Sequence, residues 1–270
     1  MKRIVILTGS ELRHTFVRKA IALNQEIEVL RSYCEGVERH LGSIIDLKDS
    51  QADIQLQHVE ARAWSEEDFF GSFVRLTGDD SQPKYINKGM INDPNIQREI
   101  VELSPDILIA YGCSIIRDPL LSAFEERFLN VHLGLSPYYR GSGTHFWALV
   151  NNEPEYCGAT FMHMSAEVDK GRVIHQLRAR VFAGDSPHQI GNRLIADVAA
   201  AYIKIINNFD RLSDVEQISV TTDRYYRQRD FTPESVVRLY QSFKDGLVDN
   251  YLDRCKHGEN LAPIVSNPTI

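Results

Sequence analysis

At 270 residues the chain can bury one sizeable domain with an extension, or two small domains. Its 43% hydrophobic and 25% charged composition is ordinary for a globular protein in water. A net charge of −7 argues against a surface built for nucleic acid or anionic lipid, both of which need clustered Lys and Arg. Four cysteines (Cys34, Cys113, Cys157, Cys255) lie far apart with no Cys-x-x-Cys pair, which supports neither a zinc site nor a disulfide framework and fits a cytoplasmic protein with reduced thiols.

Residues 3–8 are a β-branched run that ends at Gly9-Ser10, followed by a helical pattern to about Asn24 and a second short strand at 27–30. The opening run is far too short for a signal peptide or a membrane span and reads as a buried strand. Strand, glycine turn, helix, strand is the start of a Rossmann-like, doubly wound and mostly parallel α/β sheet with flanking helices. Gly9-Ser10 lacks the full Gly-x-Gly-x-x-Gly set of a dinucleotide site, although a strand end leading into a helix N-terminus is a ready anion site. Ser10, Arg13 and His14 are candidates there for a phosphate or sugar contact; the plainer reading leaves Arg13 and His14 as solvated first-turn residues.

Residues 32–92 suggest helices and a long connection around Trp64, Phe69, Phe70 and Phe73. A helix is expected over 95–103, ended by Ser104-Pro105, then a buried strand over 106–112 and a short helix near 119–124. A further strand ends at Asn130-Val131-His132, where the two-residue period puts an amide and an imidazole on one face just before a turn rich in Gly and Pro. An amide donor beside an imidazole suits polarising a carbonyl and managing a proton, and Asp169 offers a carboxylate on a later loop. Asn130, His132 and Asp169 therefore make an acyl-transfer site without a nucleophilic Ser or Cys.

Thr144 to Val150 reads as a helix, 157–164 as a strand, and 172–181 as an antiparallel strand with one wet face. Ser186-Pro187 caps a long helix to about Asn208, and Thr232-Pro233 caps another to about Asn250. These elements divide the chain into a catalytic domain over 1–210 and an extension over 211–270 with one helix and a mobile tail from Asn260. His163 and His175 flank the Asp169 loop without the spacing of a zinc motif, so His163 is expected to support the loop by packing or hydrogen bonding, and no metal is expected.

Asn130-x-His132, the Pro137-x-x-Arg140-Gly141 turn, Trp147, and Thr160, His163, Asp169, Gly171 and Gln176 at their spacing resemble the formyltransferase family, whose members move a formyl group from 10-formyltetrahydrofolate to an amine. The resemblance covers roughly residues 1–210. It implies that Asn130 hydrogen-bonds the formyl oxygen, that His132 assists proton removal or stabilises the oxyanion, and that Asp169 orients His132. It also implies that Gly112, Cys113, Ser114, Ile115, Ile116 and Arg117 line the pterin pocket, with Val168 and Gly171 closing its other side. Three departures bear on the acceptor: Gly134 where Ser is frequent, Ser136 where Leu is common, and a first loop unlike that expected for glycinamide ribonucleotide. Residues 221–270 hold seven Lys/Arg and seven Asp/Glu, with a helix instead of a run of strands, which disfavours tRNA.

The expected acceptor is thus a small-molecule amine, an amino sugar (often nucleotide-linked) in first place, with Tyr138, Arg140, Ser10, Arg13 and His14 around it. Alternatives are hydrolysis of the same donor, or formylation of another small amine such as glycinamide ribonucleotide. No nucleic acid or membrane partner is expected, and a homo-oligomer stays open.

Overall fold

The computed structural model describes residues 1–36, 45, 52–217, 220, 224–258 and 261–270. The middle of the expected long connection after residue 36 lies outside the described residues, as does Asn260.

A seven-stranded sheet forms the body of the molecule: β1 (Lys2–Gly9), β2 (Ile27–Glu35), β3 (Pro83–Ile86), β4 (Ile107–Tyr111), β5 (Phe128–His132), β7 (Gly158–His163) and β8 (Val173–Arg178). Its order is β3-β2-β1-β4-β5-β7-β8, and a separate pair joins β6 (Tyr139–Gly141) to β9 (Arg224–Tyr226). β1 to β5 run parallel within the large sheet, whereas β7 and β8 are antiparallel. The doubly wound α/β fold expected from the opening residues is the one observed.

The alternation in β1 explains why the sheet is covered on both faces. Ile4 and Ile6 point into a core with Val17 and Ile21 of α1 (Leu12–Ala22) and with Val198, Tyr202 and Ile205 of α7 (Pro187–Asn207). Val5 and Leu7 point the other way, onto Ile96 and Ile100 of α4 (Pro94–Glu102) and Leu120 of α5 (Leu120–Ala123). Each such side chain contributes about 1.5–3 kcal/mol by leaving water. Asp93 caps α4 by accepting from the N–H groups of Asn95 and Ile96, and Ser186 with Gln189 forms a reciprocal capping box on α7.

Several boundaries differ from the sequence reading. The second strand runs to Glu35 because its polar residues Ser32 and Glu35 are buried at the strand's C-terminal half. Residues 52–76 form α2 (Ala52–Glu66), one π-helical turn (Glu67–Gly71) and α3 (Ser72–Leu76). β8 has no wet face, since its first four residues are buried. The reason is the C-terminal tail, which is docked and not mobile. The Gln176 N–H donates to Val265 O at 2.7 Å, the Asn267 N–H to His175 Nδ1 at 3.0 Å, and Asn267 Nδ2 to Ser213 O at 2.8 Å. The extension also holds two helices, α8 (Pro233–Lys244) and α9 (Leu247–Lys256), because Gly246 takes a left-handed conformation (φ +86°) that ends the first. α6 (Thr144–Val150) lies against α8. Among the described residues no helix is long and apolar enough to cross a membrane.

Candidate active site

β1, β4 and β5 deliver their carboxyl ends to one edge of the sheet, the position where open α/β sheets bind ligands. Asn130 pairs in register with Ala110 of β4 and Met162 of β7, and His132 follows on the same face. Asp169 arrives on the loop between β7 and β8. Its Oδ2 lies 3.3 Å from His132 Nδ1, both side chains being largely buried, so the imidazole and the carboxylate form a direct pair. The Asn130 carboxamide is half-buried and has no hydrogen-bond partner among the described residues, which leaves its donor unspent.

The other side of the imidazole is built by the turn after β5. Nε2 lies 3.1 Å from Tyr139 O and 3.3 Å from Thr144 Oγ1. A carbonyl only accepts, and the Thr144 hydroxyl donates its proton to Leu133 O. Both ring nitrogens therefore face acceptors, and the ring is arranged to donate. The Gly141 N–H donates to Asp169 Oδ2 at 3.1 Å, so β6 touches both members of the pair.

Thr160 and Gln176 shape this turn. Thr160 Oγ1 donates to Gly134 O at 2.7 Å and accepts from the Ser136 N–H at 3.0 Å, while Gln176 Nε2 donates to Ser136 O at 2.7 Å. Gly134 occupies its place for a steric reason. A Cβ there would fall 2.5 Å from His132 Nε2 and 2.5 Å from Thr144 Oγ1. Gly171 is similarly constrained, because a Cβ would fall 1.7 Å from His163 O. Trp147 stacks on Tyr226 of β9 at 4.3 Å with 5° between the rings, tying α6 to the extension.

The loop after β4 is held at both ends. The buried Glu35 carboxylate accepts from the N–H of Ser114 at 2.6 Å, from the N–H of Gly89 at 2.8 Å and from Lys88 Nζ at 3.2 Å. Asn92 donates to Ile115 O and accepts from the Arg117 N–H, each at 2.9 Å, and Gln97 donates to Arg117 O at 3.2 Å. The N–H groups of Ile115 and Ile116 have no partner among the described residues, so the middle of a loop held at both ends offers free backbone donors. Burial, with Glu35 adding to it, pushes the Cys113 thiol up to about 12, which keeps it protonated and unfit as a nucleophile.

Among the candidate acceptor residues, Arg13 binds Glu66 of α2 at 3.0 Å and also Glu11, and Arg62 Nε meets the same Glu66 at 3.0 Å. Ser10 is half-buried beside them in sequence. His14 is enclosed between Gly9 and Gly112, edge-on to Tyr111 at 4.9 Å, where it braces two strand ends. Burial, then the cations Arg13, Arg62 and Lys88, hold its pKa well below the usual imidazole range. The Tyr138 ring lies against Tyr156 at 4.9 Å, and Arg140 is half-buried with its guanidinium 6.0 Å from the Tyr225 ring. Val168 is partly exposed. Trp64 is 72% exposed and lines an open cavity of about 790 Å³ with Phe69, Ser186 and Gln189, which shares no residue with the His132–Asp169 pair.

Sequence reasoning missed Glu35, Asn92, the Tyr139 carbonyl and Thr144. Backbone carbonyls leave no signal in a sequence, and Glu35 has none either, because the same strand also carries Glu28, Arg31 and Ser32. His163 supports the Asp169 loop as expected, with Nε2 2.8 Å from Asp214 Oδ2. His163, Asp214 and Glu126 also have the spacing of metal ligands, but Arg172 already bonds both carboxylates.

Known proteins follow the same plan. The formyl transferase family model matches residues 49–206. Phosphoribosylglycinamide formyltransferase of Escherichia coli (strain K12) is 36% identical over 118 residues, covering 43% of this chain and 55% of that protein. Methionyl-tRNA formyltransferase of Alkaliphilus oremlandii (strain OhILAs) is 32% identical over 123 residues, covering 44% and 39%. The matches thus span about half or less of those relatives' lengths. The solved structure of a sugar N-formyltransferase from Shewanella sp FDAARGOS_354 shares the fold at a TM-score of 0.58 with 16% identity, covering 90% of this chain and 88% of that one. With more than half of its length matched by the family model, this chain belongs to the formyl transferase family.

Proposed function

We propose that this protein is a cytoplasmic N-formyltransferase that moves a formyl group from 10-formyltetrahydrofolate to the amine of a small molecule, an amino sugar in first place. The observation that carries the reading is the His132–Asp169 pair at 3.3 Å, which joins the carboxyl end of β5 to the loop between β7 and β8 beside an unspent Asn130 carboxamide.

The donor needs no covalent acyl-enzyme, because its formyl group is already activated by the electron-poor nitrogen it leaves. As the amine nitrogen bonds to the formyl carbon, the carbonyl oxygen gains charge. Asn130 Nδ2 supplies a donor to that oxygen, and such a preorganised donor contributes about 3–4 kcal/mol; His132 Nε2 joins it by exchanging the Tyr139 carbonyl for the substrate. Asp169 fixes the ring and compensates its charge. The bond from the formyl carbon to the folate nitrogen then breaks, and the proton lost by the amine passes to that nitrogen. The free N–H groups of Ile115 and Ile116 suit the polar edge of a planar heterocycle, with the exposed Ile115 side chain supplying apolar contact, so the loop fits the folate donor. Val168 and Gly171 lie across from it in this reading.

On the acceptor side, Ser10, the Arg13–Glu66–Arg62 group and Arg140 supply polar contacts. His14 sets their loop from within, and Tyr138 shapes the turn. A small acceptor is favoured over tRNA by the extension, whose α8 and α9 carry charges of both signs instead of a basic surface. The test is release of tetrahydrofolate from 10-formyltetrahydrofolate with a panel of nucleotide-linked amino sugars and with glycinamide ribonucleotide. Release that needs an amino sugar supports the full reading. Release that needs the ribonucleotide replaces the acceptor, and release indifferent to every amine makes the protein a hydrolase of the donor.

A further inference from the structure

Asp169 stands in the left-handed region at φ +55°, which residues with side chains adopt rarely, so the turn that carries the carboxylate needs an external restraint. The side chain itself is met by His132 and by the Gly141 N–H. The backbone restraint comes from elsewhere. Gln217 Nε2 donates to Asp169 O and to Gly171 O, each at 2.9 Å, so one carboxamide spans the turn and uses both of its protons.

Gln217 is itself placed by the chain leading to it. The N–H groups of Val173 and Val215 each donate to the other's carbonyl, at 2.8 and 2.9 Å, which adds a short antiparallel bridge to β8. One residue earlier, Asp214 holds His163 at 2.8 Å and Arg172 at 3.1 Å, the two residues at the ends of the loop, whose backbones are joined by a 3.0 Å hydrogen bond. Asn267 of the docked tail donates to Ser213 O. This segment lies beyond residue 206, where the family match ends.

We propose that Gln217 is a positioning residue for Asp169: by bonding both carbonyls of the Asp169–Gly171 turn, it aims the carboxylate at His132 Nδ1. The inference rests on the role given to Asp169 under the proposed function. The isosteric Gln217→Glu replaces the double donor with an oxygen facing two carbonyls, while Gln217→Ala removes it without repulsion. Their readouts are kcat and donor KM for amine-dependent tetrahydrofolate release, and the proton resonance of His132 Nδ1–H, identified by its loss in His132→Gln.

Gln217→Glu is expected to lower kcat about 30-fold, within the roughly 100-fold that a 1 Å misplacement can cost, to leave donor KM within about twofold, and to shift or broaden the Nδ1–H signal. Gln217→Ala should act in the same direction and less, which covers a failure of the Glu variant to fold. In an Asp169→Asn background the Gln217 change should cost nothing further, because it acts through the residue already lost. Wild-type kcat and an unmoved resonance in both variants, or losses that add to that of Asp169→Asn, would overturn the inference. A shifted resonance in a protein that releases no tetrahydrofolate would instead sink the formyl-transfer reading and leave the positioning intact.

Discussion

The loop after β4 and the loop between β7 and β8 flank β5 on its two sides, yet they are secured by different parts of the chain. Residues 112–117 are tied to Glu35, Asn92 and Gln97, which belong to the parallel sheet and to the residues just beyond its edge strand. The Asp169 loop is tied to Gln217 and Asp214, from beyond α7. Backbone polar groups of the first are fixed around free N–H donors, and in the second a charged side chain is fixed against an imidazole. The first arrangement suits binding of a flat ligand and the second suits chemistry. Damage on the two sides should therefore separate KM from kcat.

The largest effect is expected from Asp169→Asn, which keeps the size of the side chain and removes the charge opposite His132. Formyl transfer should fall about 1000-fold in kcat, within the range for positioned acid–base groups, with donor KM nearly unchanged. Steady-state kinetics with 10-formyltetrahydrofolate checks it. Wild-type turnover would remove Asp169 from the chemistry.

Gly134→Ala comes next. Its new methyl group would overlap the His132 ring and Thr144, so one of them must move. A loss of about 100-fold in kcat is expected from the displaced imidazole, again with little change in donor KM. Thr144→Ser in the same chain should not restore it, because the ring remains blocked.

Glu35→Ala probes the opposite side. It leaves the N–H groups of Gly89 and Ser114 without their acceptor in a buried site and should lower unfolding free energy by about 2–4 kcal/mol. Donor KM should rise about tenfold while kcat holds within about threefold, the reverse of the two preceding variants. Urea unfolding and donor titration read the two effects separately. A fall in kcat alone would show that the division between the loops is wrong.

How far the sequence disclosed this arrangement follows from the range of the forces involved. The alternation in residues 3–8 and the Ser186-Pro187 cap are local, and both elements stand where they were expected. Asn130 and His132 were legible as a pair because the two-residue strand period fixes their common face. The acceptors around His132 were not, since Tyr139 contributes a carbonyl and Thr144 reaches the ring only through the turn. The tail was misread for the same reason. Its prolines and short polar residues look unstructured alone, but β8 is an edge strand whose backbone groups need partners, and Val265 and Asn267 supply them.

The effect of acid should act behind both loops, on stability and not on one step of catalysis. His58 of α2, His145 of α6 and His188 of α7 lie close together, with the His58 and His188 rings 4.6 Å apart. Burial, with His188 and Arg62 adding to it, lowers His58 and His145 to about 3; burial and then Arg62 lower His188 to about 4. In the unfolded chain these groups titrate near 6.5. Above about pH 6.5 they are neutral in both states and cost nothing. As pH falls from there toward 4 the unfolded chain takes up protons that the folded one refuses, so each group removes about 1.4 kcal/mol of stability per pH unit. His14 and His175, whose pKa values are also lowered, add in the same direction. Unfolding free energy measured from pH 7 to 4.5 should therefore drop with a slope of several protons, and His188→Gln should make it shallower by about one. Because His14 braces the strand end that leads into the donor-side loop and His145 follows Thr144 at the imidazole, donor binding and turnover should fail together in acid, unlike in any of the three variants. A flat profile across that range would mean that these rings accept protons in the folded state and that the helix junction opens to water.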